Sequence, residues 1–141
     1  AMSPGKQALF AKLGETLFFG LPGRPAATYI AFEQLVRPVL LQMLGLPQVF
    51  PPETSAVLNG SVKVRGMLLS FLFGRLNIGP AGLEVECLRS EKKGILSEML
   101  AANCLLQVPP GRDRLDKGER VTIQLLDLGL DGLSYFQVPP Q

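Results

Sequence analysis

The residues best equipped for chemistry gather around Thr16-Leu17-Phe18-Phe19-Gly20-Leu21-Pro22-Gly23-Arg24-Pro25, which reads as a strand, a Gly/Pro turn and a helix start. Gly20 and Gly23 allow backbone angles that other residues resist, and they let a ligand come close. Pro25 suits the first helical turn, where its missing N–H costs nothing. The next N–H groups have no partner within the helix and, with the helix dipole, favour an anion. Arg24 puts a fixed charge at that mouth. Lys6, after the turn signal Pro4-Gly5, supplies a second cation. The chemistry on offer is anion binding. The competing reading is a tight strand-to-helix connection with Arg24 and Lys6 simply solvated, and spacing alone does not choose between the two.

The elements that must position these residues follow from the surrounding pattern. Residues 7–13 and 16–19 form an apolar hairpin across Gly14-Glu15, both strands reading as covered on two faces. Residues 25–44 form one helix, with apolar positions 27, 30, 31, 35 and 39 at helical spacing and a stripe widened by Phe32, Val36, Leu40 and Met43. Glu33 and Arg37 are spaced to pair. Pro38 removes the donor that would reach Gln34, which predicts a kink. Gly45 and Pro47 end the helix. The segment 47–54, with Pro47, Pro51 and Pro52, reads as an extended linker and domain boundary.

Beyond it the period changes to two. Leu83, Val85 and Cys87 alternate with Glu84 and Glu86, and Val121, Ile123 and Leu125 alternate with Thr122 and Gln124. Residues 57–64, 67–78 and 103–108 are further strands, separated by Asn59-Gly60, Gly79-Pro80-Ala81-Gly82, Pro109-Pro110-Gly111 and Lys117-Gly118. Short strands at this spacing predict a small barrel or sandwich over 55–128. A helical turn or two is expected over 94–102, and residues 129–141 read as a partly ordered tail.

Composition excludes several function classes. The chain has 141 residues, 47% of them hydrophobic, and a net charge of +2 from 14 basic and 12 acidic residues. The basic residues are scattered, which argues against a nucleic-acid footprint. No histidine is present, which removes the commonest general base and the Ser-His and Cys-His nucleophile pairs. Cys87 and Cys104 are too few for a closed zinc site. Their apolar neighbours make them reduced core thiols of a reducing compartment. The longest hydrophobic run, Met67 to Phe73, falls far short of the ~20 residues needed to span a membrane. A soluble, cytoplasmic chain is expected.

Longer motifs add to this. Gly20 to Pro25, followed by Ala26-Ala27-Thr28-Tyr29-Ile30-Ala31-Phe32-Glu33-Gln34-Leu35-Val36-Arg37-Pro38, resembles a signature of the MoeA family, the molybdopterin molybdenumtransferases related to the gephyrin E domain. Ser3-Pro4-Gly5-Lys6-Gln7 sits where that family has Lys-Pro-Gly-Lys-Pro. Gly94-Ile95-Leu96-Ser97 through Ala102-Asn103 resembles its Gly-Met-Leu-Ser…Ala-Asn segment. Leu115 to Val121 resembles its closing Gly-Glu-x-Val turn.

The resemblance implies an α+β chain, the C-terminal portion of a longer enzyme. Residues 1–46 would complete an α/β, MogA-like molybdopterin-binding domain, and 55–128 would be the barrel-like C-terminal domain. The implied reaction inserts molybdate into adenylylated molybdopterin. Lys6, Gly20, Pro22, Gly23, Arg24, Pro25 and Ser97 would bind substrate. Catalytic residues stay unassigned and no metal ligand is expected within the chain, although the whole enzyme would use Mg2+. A homodimer and contact with a MogA-like adenylyltransferase are implied partners. A non-catalytic scaffold of the same fold is the alternative.

The chain also departs from the family pattern. Ser3 stands in place of a Lys, Arg24 in place of an Asn, Phe73 in place of an Arg and Lys93 in place of a Ser. Arg75 is a candidate substitute for the missing Arg. Lys93 and Ser97 face either the pterin cleft or solvent.

Overall fold

The computed structural model describes residues 2–3, 6–64, 67–80, 82–89 and 95–126. The expected Pro4-Gly5 turn, Lys93 and the tail over 129–141 lie outside them. The chain is α+β: a small closed barrel with a long broken helix and a hairpin attached.

The barrel is built from β4 (Glu53–Leu58), β6 (Leu69–Gly79), β7 (Gly82–Cys87), β8 (Cys104–Val108) and β10 (Arg120–Leu125). Strand β6 is long enough to serve two neighbours. Its first half pairs antiparallel with β8, Ser70↔Val108 to Gly74↔Cys104, and its second half with β7, Gly74↔Cys87 to Gly79↔Gly82. β4 runs parallel to β7 and antiparallel to β10, and β10 pairs β8. The ring β6-β7-β4-β10-β8-β6 therefore closes without a free edge. Gly74 sits at the seam. A Cβ there would lie 3.0 Å from Cys104 Sγ and 3.1 Å from Val85, and would collide with Leu106, so the seam admits only hydrogen.

Alternation sorts the side chains. Ala56, Leu58, Val85, Cys104, Leu106, Val108, Val121 and Ile123 fill the interior. A short ladder of β5 (Val62–Lys63) and β9 (Arg114–Leu115) adds Val62 and Leu115 to this core. The opposite parity, Phe71, Phe73 and Leu105, points out of the barrel yet is also buried, beneath Ile30 and Leu126. This explains why β8 is apolar on both faces over Cys104, Leu105 and Leu106 rather than alternating, with Gln107 its one polar residue. Leu83 keeps the predicted parity but lies exposed at the hairpin end. Glu84 departs from the solvated expectation: it is half-buried, folded over Gly79.

The helix spans Pro25 to Met43 in three parts: α1 (Pro25–Ala31), a wide π-turn over Phe32–Val36, and α2 (Arg37–Met43). Pro38 is the cause. It lacks the N–H that would reach Gln34, and the ladder widens so that Arg37 N–H reaches back to Phe32 O. Glu33 and Arg37 approach to 3.8 Å. At the C-terminus Gly45 takes φ 74, with Gly45 N–H on Gln42 O and Leu46 N–H on Leu41 O. That is a complete Schellman stop.

Two further pieces complete the fold. β1 (Met2–Ser3) adds in parallel to the start of β6. β2 (Leu9–Leu13) and β3 (Thr16–Gly20) form a separate hairpin turning at Gly14, which has φ 59. Expected to be covered on both faces, β2 is instead exposed at all five positions. Helix α3 (Ile95–Ala101) occupies the predicted place.

Candidate anion-binding cleft

Four of the seven residues singled out from sequence line one cleft. Lys6, Pro22, Gly23 and Arg24, joined by Ser3, Gln7 and Ala27, surround a space of about 340 Å³. Three separate stretches meet there: β1, the turn leading to the hairpin, and the loop entering α1. β1 holds Ser3 in place by its pairing to Ser70. Gly20 ends β3 opposite Leu9, and Pro25 opens α1 just beyond the cleft. Ser97 lies exposed on α3, next to Glu98.

The loop is fixed by a residue to which sequence reasoning gave no role. Thr28 Oγ1 lies within hydrogen-bond reach of both Pro22 O and Arg24 O, the latter at 3.0 Å, and Thr28 N–H donates to Arg24 O at 2.9 Å. Two carbonyls of the loop are thereby turned onto the helix. No side chain caps the N-terminus of α1, so its first N–H groups are left to a ligand or water. The available signal was a Thr in the first helical turn, four residues after Arg24, where back-bonding to the loop is common.

The glycines act differently from expectation. Neither Gly20 nor Gly23 is among those with positive φ. A Cβ at Gly23 would meet nothing within 4 Å. Its value to the cleft is therefore bare, approachable backbone rather than a special angle.

A second cleft of about 440 Å³ shares Ser3 and Arg24 with the first and runs on between α1, β6 and α3. Ile30, Phe71, Phe73 and Leu88 give it an apolar wall, with Arg89 and Glu98 also lining it. Arg89 Nη1 donates to Lys63 O at 2.7 Å, which fixes the guanidinium. Phe73, expected from the resemblance to stand at an Arg position, is 5% exposed, with its ring centroid 5.9 Å from that of Tyr29. Arg75 does not replace that charge. Its Nε donates to Ala101 O at the end of α3, and it lines neither cleft. Among the described residues, the cations of the joined clefts are thus Lys6, Arg24 and Arg89, against one carboxylate, Glu98.

Of the two thiols, Cys87 is half-buried on the wall of the second cleft and Cys104 is buried in the barrel. Burial pushes Cys87 up to about 11 and Cys104 up to about 12, so both stay protonated at neutral pH. Among the described residues, no three of His, Cys, Asp and Glu cluster as a metal cage. Nor is any helix among them long and apolar enough to cross a membrane.

Comparison with known proteins agrees with this geometry. The MoeA C-terminal region (domain IV) matches residues 55–126. A molybdopterin molybdenumtransferase of Haemophilus influenzae is 32% identical over 126 residues, covering 88% of this chain and 31% of the relative. One from Staphylococcus aureus is 29% identical, covering 90% and 30%. A crystal structure of the molybdopterin biosynthesis MoeA protein from Pyrococcus horikoshii superposes with a TM-score of 0.73 at 27% identity, covering 89% of this chain and 30% of that one. The chain thus spans about a third of the length of these relatives. By its closed barrel and the match over that barrel, the chain belongs to the MoeA C-terminal region family.

Proposed function

We propose that this chain is the C-terminal portion of a molybdopterin molybdenumtransferase and supplies one wall of the site where molybdate meets adenylylated molybdopterin. The observation that carries this reading is the convergence of Lys6, Gly23 and Arg24 on one cleft at an uncapped helix start. Phosphate and molybdate are anions. The Arg24 guanidinium and Lys6 ammonium would neutralise them, and the bare backbone at Gly23 would let an oxyanion approach the first N–H groups of α1. The apolar wall of Phe71 and Phe73 suits a ring system attached to such an anion.

On this reading residues 1–46 complete a molybdopterin-binding α/β domain, 47–54 link it to the barrel over 55–128, and Ser97 faces the substrate from α3. The full-length enzyme is cytoplasmic and homodimeric, and it receives its adenylylated substrate from a MogA-like partner. Magnesium would have to be held elsewhere in that enzyme, because the described residues offer no cluster for it. The role of this chain is to bind and orient anions.

The test is cofactor formation from adenylylated molybdopterin and molybdate by the full-length protein that carries this segment. Lys6→Ala or Arg24→Ala should lower kcat/KM by about tenfold to a hundredfold, the worth of one charged hydrogen bond. Unchanged kinetics would contradict the assignment. Residues 1–141 alone should give no turnover.

A scaffold role is the second reading. It is favoured by the exposed Leu9, Phe10, Leu13, Met43 and Leu44, an extent of apolar surface that marks an interaction face.

A further inference from the structure

A run of polar side chains links the helix, the barrel and the proline segment. Gln34, in the π-turn, donates from Nε2 to Gln124 Oε1 at 2.6 Å. Gln124, on β10 and 6% exposed, donates from Nε2 to Glu53 Oε1 at 3.0 Å. Gln107, on β8, donates to the same Glu53 oxygen at 2.5 Å. Glu53 follows Pro51-Pro52 directly and opens β4.

The polarity of this run is fixed by its end. An ionised carboxylate only accepts, so Gln124 must turn its NH2 toward Glu53, and its carbonyl is then left for Gln34. A single carboxylate thereby dictates which way two amides face. The N-terminal half of the helix is held on the barrel by apolar packing of Ile30 against Phe71 and Phe73, which is non-directional. The Gln34–Gln124 hydrogen bond adds a directional tie from helix to barrel. The helix carries Arg24 and Ile30 into the larger cleft, and the barrel carries Phe71, Phe73 and Arg89 into it. The angle between helix and barrel is therefore the width of the cleft.

The geometry points to Glu53 and Gln124 as positioning residues that lock the helix onto the barrel at one angle and so fix the opening of the cleft. This does not depend on which ligand the cleft takes. Breaking the run removes this directional tie and widens the range of angles that the helix can take on the barrel.

The test is a spin-label distance measurement on residues 1–141, with nitroxides at Leu40→Cys on the helix and Glu86→Cys on the barrel, diluted into an excess of unlabelled chain so that only distances within one chain are read. Both positions are exposed; Cys104 is buried, and Cys87, half-buried on the cleft wall, is replaced by Ala in every labelled chain. The parent should show one narrow distance. Gln124→Glu sets two carboxylates face to face and should lose that single distance. The swapped pair Glu53→Gln with Gln124→Glu restores a donor opposite an acceptor and should recover it. Gln34→Ala leaves the barrel's own bonds in place and should also lose it, which keeps the test decisive if Gln124→Glu does not fold. Narrow distances in the Gln34→Ala chain, or no recovery in a folded swapped pair, would overturn the assignment.

Discussion

The side chain of Asn103 pairs with the backbone of Leu76 as a strand residue would. Its Oδ1 accepts from Leu76 N–H at 2.7 Å and its Nδ2 donates to Leu76 O at 3.1 Å. The β6–β8 ladder ends at Gly74↔Cys104, and one amide side chain extends it by a step. The backbone of Asn103 is engaged as well, with N–H on Gly74 O and its carbonyl accepting from Leu126 N–H. Asn103→Ala would strip both Leu76 groups of their amide partner and should cost about 1–3 kcal/mol in urea denaturation. Asn77→Ala, on the exposed part of the same strand, should stay within about 0.5 kcal/mol. Equal losses would refute the pairing role.

Phe73 supports the helix as well as walling the larger cleft. It lies in the cluster with Ile30 and Leu105 and against Tyr29. Phe73→Ala should destabilise the chain by about 3–5 kcal/mol through the cavity it leaves. Phe73→Arg buries a charge among apolar neighbours and should be destabilising as well. Arg24→Ala, at an exposed position, should leave the denaturation midpoint nearly unchanged. A stable, well-folded Phe73→Arg chain would contradict this reading of the site.

What could be read from the chain before its structure was the part governed by local period. The strands expected over 82–88, 103–108 and 120–126 and the helix from Pro25 fall on β7, β8, β10 and α1, and Pro38 announced the break in the helix. The closing of the barrel at Gly74 was not legible, because a strand that changes partner midway has no signature of its own. A parallel strand of two residues, Met2–Ser3, is equally silent. The cleft was half legible: the types of Lys6, Gly23 and Arg24 suggested an anion, while the roles of Thr28 and Arg89 depend on contacts with carbonyls that only the folded chain brings near. The exposure of β2 ran against its apolar pattern, since period reports which residues can be covered and not whether anything covers them.

Raised thiol pKa values carry a pH consequence. Below about pH 9, the ordinary thiol value, folded and unfolded chains both keep the proton. Between there and about 11 for Cys87 and about 12 for Cys104, the unfolded chain loses protons that the folded chain retains. Stability should therefore fall as pH rises through that window. Cys87→Ala and Cys104→Ala should each flatten the fall in a denaturation series from pH 8 to alkaline pH. At pH 8, alkylation by iodoacetamide should be slow in the folded chain and fast in denaturant. Rapid alkylation of the folded protein would show that the thiols are not sheltered.

The hairpin and the outer side of the helix present a broad apolar surface. Leu9 is 67% exposed, Leu13 73% and Met43 68%, and β2–β3 is a sheet of two strands with unpaired edges. Residues 1–141 in isolation should self-associate through residues 7–44. Light scattering should give a mass that rises with concentration, and Leu13→Lys with Met43→Lys should return it toward the monomer. A monomer at high concentration in the parent chain would refute the association.

The most direct test of the anion-binding reading is a calorimetric titration of residues 1–141 with molybdate at low salt, comparing Arg24→Ala with Arg112→Ala. Arg112 already pairs with Glu119 at 2.8 Å, in a Pro/Gly loop remote in sequence from the cleft, whereas Arg24 lines both clefts. Arg24→Ala should weaken binding clearly and Arg112→Ala hardly at all. The difference should shrink as salt shortens the reach of exposed charges to about 10 Å at 0.1 M. Equal effects from the two substitutions, or molybdate binding that ignores both, would contradict the account.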